Sequence, residues 1–519
     1  MKVWTRRHVL KASLAGSAAA LWPCSELFAQ SGGSLIRAPK QALVIGNGKY
    51  KQSPLKNPVN DAQGMAAALT STGFDVTLGL ELSQSQMREA IRAYGENLVK
   101  AKAVGLFYFA GHGVQLAWRN YLIPVDADIV DIEQLREHAI DVNSVIEGIR
   151  KAGNPMNIII LDACRDNPFG AQARSDQKGL SQLDAPPGTL LAYATAPGNT
   201  AVDGEGENGL YTENLLREIK VPEARVEDVF KRVRLAVRRR SKGQQIPWES
   251  TSLEEDFWFI PPKEIKKLAE QEAERVFKEE LALWERIQNA AERGPLEDYL
   301  LRYPSGHFTE LAQLNLDQVL AKQGERKIEV VSAPQNPYTK GTARTDTAYR
   351  IGDTYTYRRL ELFTRLEEKP ATFTVAEITD KEIRYRNGAV HDLLGNVLKT
   401  PQGGRWGPNQ TVPTEFRIGK RWNSRFPVIN PLGLSFVVDL ELHVAEREMI
   451  TVPAGTFNAF RVEARGWTSG LPVSSRWEWT RWFAPEQVRR GIASQMISTS
   501  SLGRINESQR GELMAFKQS

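Results

Sequence analysis

The chain has 519 residues, a length that favours about two to four domains with separate cores. Its apolar and charged fractions, 41% and 25%, are those of a soluble globular protein. Residues 1–29 carry four basic residues and one acidic residue, so the net charge of +5 falls to about +2 without them. This near-neutral balance gives no indication of nucleic-acid binding.

Residues 1–29 have the pattern of an export signal. The adjacent arginines Arg6 and Arg7 precede a modestly apolar stretch over 12–22, and the small residue Ala29 comes before a polar region. The apolar stretch is about half the length that crosses a bilayer, and no later stretch is long and apolar enough to do so. We therefore predict a twin-arginine signal and localisation in a bacterial periplasm.

The chain has two cysteines, Cys24 and Cys164. Cys24 lies inside the predicted signal, so the exported chain would keep Cys164 without an internal disulfide partner. A lone cysteine is usually a buried, inert side chain. In an oxidising compartment, an exposed thiol is a liability unless it has a chemical role.

Residues 40–262 alternate short apolar strands with helical patterns. The predicted strands include "QALVI", "VGLFYFAGHG", "MNIIILDACRD" and "TLLAYATAPGN". This alternation predicts an α/β domain, a mostly parallel sheet with helices on both faces. Catalytic side chains in such folds lie beyond the carboxyl ends of the strands.

The remainder of the chain predicts further domains of different character. Residues 264–322 predict charged amphipathic helices, similar to tetratricopeptide-type hairpins, with a turn at "RYPSG". They suit a spacer as well as a protein-binding site, and residues 323–348 predict a linker. Residues 349–510 predict an antiparallel all-β domain, a sandwich or half-barrel, as a second candidate region for a protein partner.

His112 and Cys164 are the candidate catalytic pair. Cys164 ends the apolar run in "IIILDAC", and His112 follows another apolar run between two glycines, 52 residues earlier in the chain. If the two strands are neighbours, both side chains emerge at the same edge of the sheet. A thiol and a histidine are the groups that a cysteine peptidase needs. The alternatives are a structural histidine and a buried, inert thiol.

These motifs resemble the caspase-like cysteine peptidases over about residues 40–260. True caspases carry glutamine-alanine-cysteine, whereas an aspartate at Asp162 resembles the metacaspase, paracaspase and bacterial orthocaspase branches. The resemblance implies a caspase-hemoglobinase-like fold and a Cys164–His112 dyad, with no evident third residue and no required cofactor. It also implies that the backbone N–H groups of Gly113 and Cys164 bind the oxyanion.

The resemblance further implies an acidic substrate pocket. The matching positions in this chain are Asp61, Asp162 and, less securely matched, Asp203. Carboxylates repel an aspartate and stabilise a cation, so the expected protein or peptide substrate has arginine or lysine before the cleaved bond. Each position has a structural alternative: Asp61 at a helix start, Asp162 in loop orientation and Asp203 in a turn.

The polar loop 171–188 is the predicted self-processing segment. Cleavage between the two portions of the domain often matures members of the resembling family, which points here to Arg174 or Lys178. Calcium activates many metacaspases. The acidic residues of "VDADIVD" lack the spacing of a calcium loop, so no metal site is predicted and calcium dependence stays open.

Two other functions compete with a peptidase. A scaffold or binding protein would keep the fold without cutting, but the intact Cys164 and His112 argue against this alternative. A transpeptidase or ligase is the second alternative, because caspase-like folds also host asparagine-directed ligases. The predicted acidic pocket argues against a ligase.

Overall fold

The computed structural model describes residues 34–164, 179–197, 199, 206–263, 270–325 and 335–519. The predicted export signal, Asp203 and the predicted cleavage positions Arg174 and Lys178 lie outside these residues. Across the described ranges, no helix combines the length and the apolar character needed to cross a membrane.

The first domain is built on a mainly parallel sheet. Its strands are β1 (Lys40–Gly46), β2 (Asp75–Leu80), β3 (Val104–Leu116), β4 (Arg119–Leu122), β5 (Ile140–Asp141), β6 (Asn157–Cys164), β7 (Thr189–Tyr193) and β8 (Trp248–Thr251). The order is β2-β1-β3-β6-β7-β8, in which only β8 is antiparallel to its neighbour. β4 and β5 extend antiparallel from the end of β3.

Helices cover both faces of this sheet. They are α1 (Ser34–Arg37), α2 (Pro58–Ser71), α3 (Gln84–Ala101), α4 (Leu135–His138), α5 (Val142–Ala152), α6 (Leu210–Glu218) and α7 (Val226–Arg240), with a 3-10 turn at Ile132–Gln134. Successive strand residues point to opposite faces, so Val44 packs in one core with Leu215 of α6, and Leu43 packs in another with Leu98 of α3. The predicted α/β architecture is confirmed.

Three further helices follow the first domain: α8 (Glu270–Ile287), α9 (Arg293–Arg302) and α10 (Thr309–Lys322). Their shared core contains Trp284 stacked on Phe308, with ring centroids 5.9 Å apart. The buried Glu280 of α8 accepts hydrogen bonds from the Tyr299 hydroxyl (2.6 Å) and the His307 backbone (2.7 Å), which fixes the turn between α9 and α10. This turn contains the "RYPSG" sequence.

The C-terminal domain is all β. Its strands are β9 (Thr342–Arg344), β10 (Thr354–Glu361), β11 (Glu367–Ile378), β12 (Glu382–Tyr385), β13 (Val390–Asp392), β14 (Val397–Lys399), β15 (Arg405–Trp406), β16 (Glu415–Arg417), β17 (Arg421–Ile429), β18 (Ser435–Val452), β19 (Gly455–Ser469), β20 (Ser475–Phe483), β21 (Ala493–Ser500) and β22 (Ile505–Lys517). β10 pairs with both β11 and β22, so the sheet closes into a barrel, and β9 and β16 pair separately. Closure replaces the predicted sandwich or half-barrel.

The described part of the predicted linker, residues 335–348, packs against the first domain. Asn336 is buried, and its side-chain amide donates to the Ser181 hydroxyl (2.9 Å) and the Gln182 carbonyl (2.8 Å). The Asp184 carboxylate accepts from the Thr339 hydroxyl (2.7 Å) and the Lys340 backbone (2.6 Å). These bonds hold the segment that enters β7.

Glu249 of β8 joins the first domain to the C-terminal domain. Its buried carboxylate pairs with Arg234 of α7 and, at 3.6 Å, with Arg417 of β16. Arg417 also donates to the Glu249 carbonyl. Burial acts to raise the pKa of Glu249, but the two arginines outweigh it, and the pKa lies below its ordinary value.

Glu249→Gln is expected to destabilise the protein by about 3–5 kcal/mol near neutral pH, because it leaves buried arginines without a counter-charge. A carboxyl with a lowered folded-state pKa contributes stability above its unfolded pKa of about 4.3, and this contribution is lost as the pH falls through the lower folded value. Thermal unfolding across this pH range measures both effects. The exposed Glu96 supplies the control Glu96→Gln, and an equal shift in both variants would contradict the prediction.

Candidate active site

His112 and Cys164 occupy neighbouring strands. β3 and β6 pair in parallel, and His112 is the register partner of Cys164. Paired strands lie about 4.8 Å apart, so the two backbones are adjacent, as the catalytic hypothesis requires. β3 continues beyond His112, because residues 113–116 pair with β4.

The His112 ring is buried and held on two sides. Its Nε2 lies 2.7 Å from the Ser53 carbonyl oxygen, and its face packs on the Tyr50 ring at 4.5 Å between centroids. A carbonyl oxygen only accepts, so Nε2 carries the hydrogen and Nδ1 is the basic nitrogen of the neutral ring. The Ser53 carbonyl therefore orients His112, a role for which the sequence suggested no third residue.

Close contacts with neighbouring atoms explain why both residues beside His112 are glycines. A Cβ on Gly111, whose φ is 156°, would lie 2.5 Å from the Tyr50 hydroxyl. A Cβ on Gly113 would lie 2.7 Å from the Cβ of Ala163 in β6. Glycine thus permits the close approach of β3 to its neighbours. Gly113 and Cys164, the predicted sources of oxyanion N–H groups, are one position apart in this register.

Asp162 lies on β6, two residues before Cys164. Its Oδ2 accepts hydrogen bonds from the hydroxyls of Thr212 (2.5 Å) and Tyr108 (3.2 Å). The Tyr108 and Thr212 hydroxyls are themselves 2.6 Å apart. Tyr108 is fully buried in β3 and Thr212 is near the start of α6, so Asp162 links the sheet to this helix.

Asp61 is buried in the first turn of α2. Its Oδ1 accepts from the backbone of Gly209 and from the side-chain amide of Asn208, both at 2.9 Å. Gly209 is the N-cap residue of α6. Asp61 therefore binds the start of α6, and it is also an acidic residue in the first turn of its own helix, as one alternative proposed.

The structure brings Asp61 and Asp162 to the same region, because both bind the start of α6, at Gly209 and at Thr212. Burial raises the pKa of Tyr108 well above its ordinary value, and the charges of Asp162 and then Asp61 raise it further. Two of the three predicted pocket residues are thus placed together, and Asp203 lies outside the described residues.

Sequence reasoning did not find Ser53, Tyr50, Tyr108 or Thr212. Tyr108 left a weak signal, a polar tip within the apolar run "LFYFAG". Thr212 stands in an ordinary helical sequence, and the role of Ser53 belongs to its backbone. No residue pattern could have indicated these two positions.

A cavity lies apart from His112 and Cys164. Its volume is about 360 Å³, it separates α7 from α10 and β16, and its walls include Lys231, Glu310 and Arg417. In the portion of the chain that the structure describes, no group of three or more histidine, cysteine, aspartate or glutamate residues is arranged to hold a metal ion.

The parallel sheet carries its histidine and cysteine on adjacent strands, as the resemblance to the caspase-like peptidases implied. Residues 39–258 match the family model of the caspase domain. The first domain is therefore similar to the caspase domain, a similarity that supports a proteolytic role in general.

Two curated relatives are similar to part of this domain. Mucosa-associated lymphoid tissue lymphoma translocation protein 1 of Homo sapiens is 29% identical over 169 residues, and its Mus musculus homologue is 28% identical over 176 residues. These alignments cover 32% and 33% of this chain. They cover 19% and 20% of the two relatives, so the chain spans about a fifth of their length.

Proposed function

We propose that this protein is a cysteine endopeptidase that cleaves after arginine or lysine. The observation that carries the proposal is that Asp61 and Asp162 both bind the start of α6, with Asp162 on the strand that ends at Cys164. Two neighbouring carboxylates stabilise a guanidinium or ammonium group and repel an aspartate. The site therefore favours a basic side chain before the scissile bond.

The chemistry assigns one step to each group. His112 removes the thiol proton of Cys164 at Nδ1, and the sulfur attacks the peptide carbonyl. The Ser53 carbonyl holds Nε2–H throughout and stabilises the imidazolium that forms. His112 then returns the proton to the leaving amine, and water hydrolyses the thioester. The backbone N–H groups of Gly113 and Cys164 are assigned to the oxyanion.

Fluorogenic peptides ending in arginine, lysine, aspartate or asparagine test this assignment. The full chain is expected to hydrolyse the arginine and lysine peptides, and Cys164→Ala is expected to hydrolyse none of the four. Hydrolysis of aspartate peptides alone would contradict the acidic pocket. Parallel reactions with calcium and with a chelator determine calcium dependence, which the proposal leaves open.

The same assay separates the competing functions. Absence of hydrolysis on every peptide, with and without calcium, would favour a scaffold. Transfer of the acyl group to an added amine in place of water would favour a ligase. The intact Cys164 and His112 argue against the scaffold, and the carboxylates of Asp61 and Asp162 argue against the ligase.

We also propose export to a bacterial periplasm and self-processing after Arg174 or Lys178. Both proposals concern residues outside the described ranges, so they depend on the sequence pattern. Mass analysis of the wild-type protein and of Cys164→Ala tests the cleavage. Identical fragments from both proteins would exclude self-processing.

A further inference from the structure

Hairpin turns of four strand pairs gather at one end of the barrel. The pairs Ile429↔Ser435, Val437↔Ser469, Ser475↔Ser500 and Thr499↔Ile505 place the β17–β18, β19–β20 and β21–β22 turns together. The Leu362 N–H donates to the Ser508 carbonyl, which adds the β10–β11 turn. These strands are consecutive around the barrel, so their turns form one continuous stretch of its rim.

Large apolar side chains project from all four turns. We call them the apolar rim: Phe363 (65% exposed), Leu366 (70%), Leu432 (85%), Leu434 (52%), Val473 (40%) and Leu502 (82%). Trp467, near the end of β19, and Ile505, at the start of β22, are also about half exposed beside them. Single exposed apolar residues are ordinary, but a set confined to adjacent turns indicates an interaction surface.

The charges at the tips of these turns are basic, and the acidic groups lie at the base of one turn, where Glu361 is bound to the turn backbone and Glu367 is exposed. Turns 430–434 and 470–474 contain no charged residue, whereas the other two contain the exposed Arg365 and Arg504. The Glu361 carboxylate accepts hydrogen bonds from the backbone of its own turn, at residues 363 and 364. Glu367 follows at the first position of β11. The tips therefore combine apolar side chains with two accessible guanidinium groups.

The apolar rim lies far from the first domain. Gly419, two residues before β17, lies against the Thr251 carbonyl of β8. β17 begins at Arg421 and ends at Ile429, beside the rim. Eight residue steps of about 3.4 Å carry the strand about 27 Å between these points. A partner bound at the apolar rim would therefore not cover the end of the barrel that contacts the first domain.

We propose that the apolar rim inserts into the headgroup region of an anionic phospholipid membrane. Tips on separate convex turns enter a lipid interface without the continuous complementary surface that a protein partner requires. Arg365 and Arg504 pair with lipid phosphates, and Trp467 lies at the level where tryptophan is enriched in membrane proteins. The membrane then holds the whole chain at its surface through the barrel.

Vesicle co-sedimentation of the full chain carrying Cys164→Ala tests this proposal without interference from proteolysis. Strong binding is expected to vesicles of equal parts phosphatidylglycerol and phosphatidylcholine, and weaker binding to phosphatidylcholine alone. Leu432→Ser with Leu502→Ser is expected to weaken binding at least about tenfold, since each insertion buries a full apolar side chain. Arg365→Gln with Arg504→Gln is expected to weaken binding to the anionic vesicles and to reduce its dependence on salt.

Two equally exposed residues at the opposite end of the barrel provide the matched control. Ile351 (69% exposed) precedes β10, and Met449 (67%) lies near the β18–β19 turn. Ile351→Ser with Met449→Ser should bind like the parent. Equal loss in both pairs of variants, equal binding to both kinds of vesicle, or no binding would overturn the proposal. Self-association abolished by Leu432→Ser would overturn it in favour of a second copy of this chain.

Discussion

Replacing His112 by glutamine is expected to lower kcat/KM for arginine peptides by about 10²–10⁴-fold, the contribution of a general acid–base group. Glutamine keeps an N–H that can donate to the Ser53 carbonyl, so the turn that holds the ring is retained. It cannot take a proton from Cys164 or return one to the leaving amine. The loss should therefore appear mainly in kcat.

The exposed His138 in α4 supplies the matched control. His138→Gln is expected to leave the kinetics and the thermal unfolding unchanged. If His112→Gln retained wild-type kcat, the assignment of His112 as base would be wrong. If it lost activity together with its folded structure, as measured by thermal unfolding, the loss of activity would reflect lost packing. Alkylation of Cys164 in the folded fraction would then measure the reactivity of the thiolate directly.

Asp162→Asn is expected to lower kcat/KM for arginine and lysine peptides by about 10–100-fold, the value of one charge-assisted hydrogen bond. Asparagine has the same shape and can still accept from Thr212 and Tyr108. The substitution removes the charge and turns one acceptor oxygen into a donor, so peptides with a neutral residue before the scissile bond should be affected much less. Asp61→Asn should act in the same direction.

The control for this pair is Asp75→Asn, at the exposed first position of β2. It should change no substrate preference. An equal loss on basic and neutral peptides for Asp162→Asn would show that the carboxylate only supports the start of α6. Thermal unfolding of each variant separates this outcome from a change in specificity, because Asp61 also holds Gly209.

The periodicity of apolar residues was sufficient to predict the α/β domain and to place His112 and Cys164 each after an apolar run. That the two runs are neighbouring strands was a condition of the hypothesis, and the pairing of β3 with β6 meets it. The orientation of His112 could not be predicted in the same way, because the Ser53 carbonyl is a backbone group that every residue carries. Nor could the pattern show that Asp61 would cap α6, which begins far along the chain.

The C-terminal domain shows a second limit. Alternation predicted its strands, but barrel closure depends on β10 meeting β22, two segments widely separated in the chain. Trp477, Trp479 and Trp482 illustrate the same point. Alternation alone does not show which of them are buried, yet all three are, because a closed sheet also packs against neighbouring elements.

The bonds around residues 181–184 have a consequence for a nicked chain. Asn120 binds the Ser181 backbone through both its amide nitrogen (2.9 Å) and its oxygen (2.6 Å), while Asn336 binds Ser181 from the other side. β6 and β7 remain hydrogen-bonded neighbours whatever happens to the loop between them. A cut in that loop would therefore yield two polypeptides that stay associated in one folded domain. They would copurify under native conditions and separate only in denaturant.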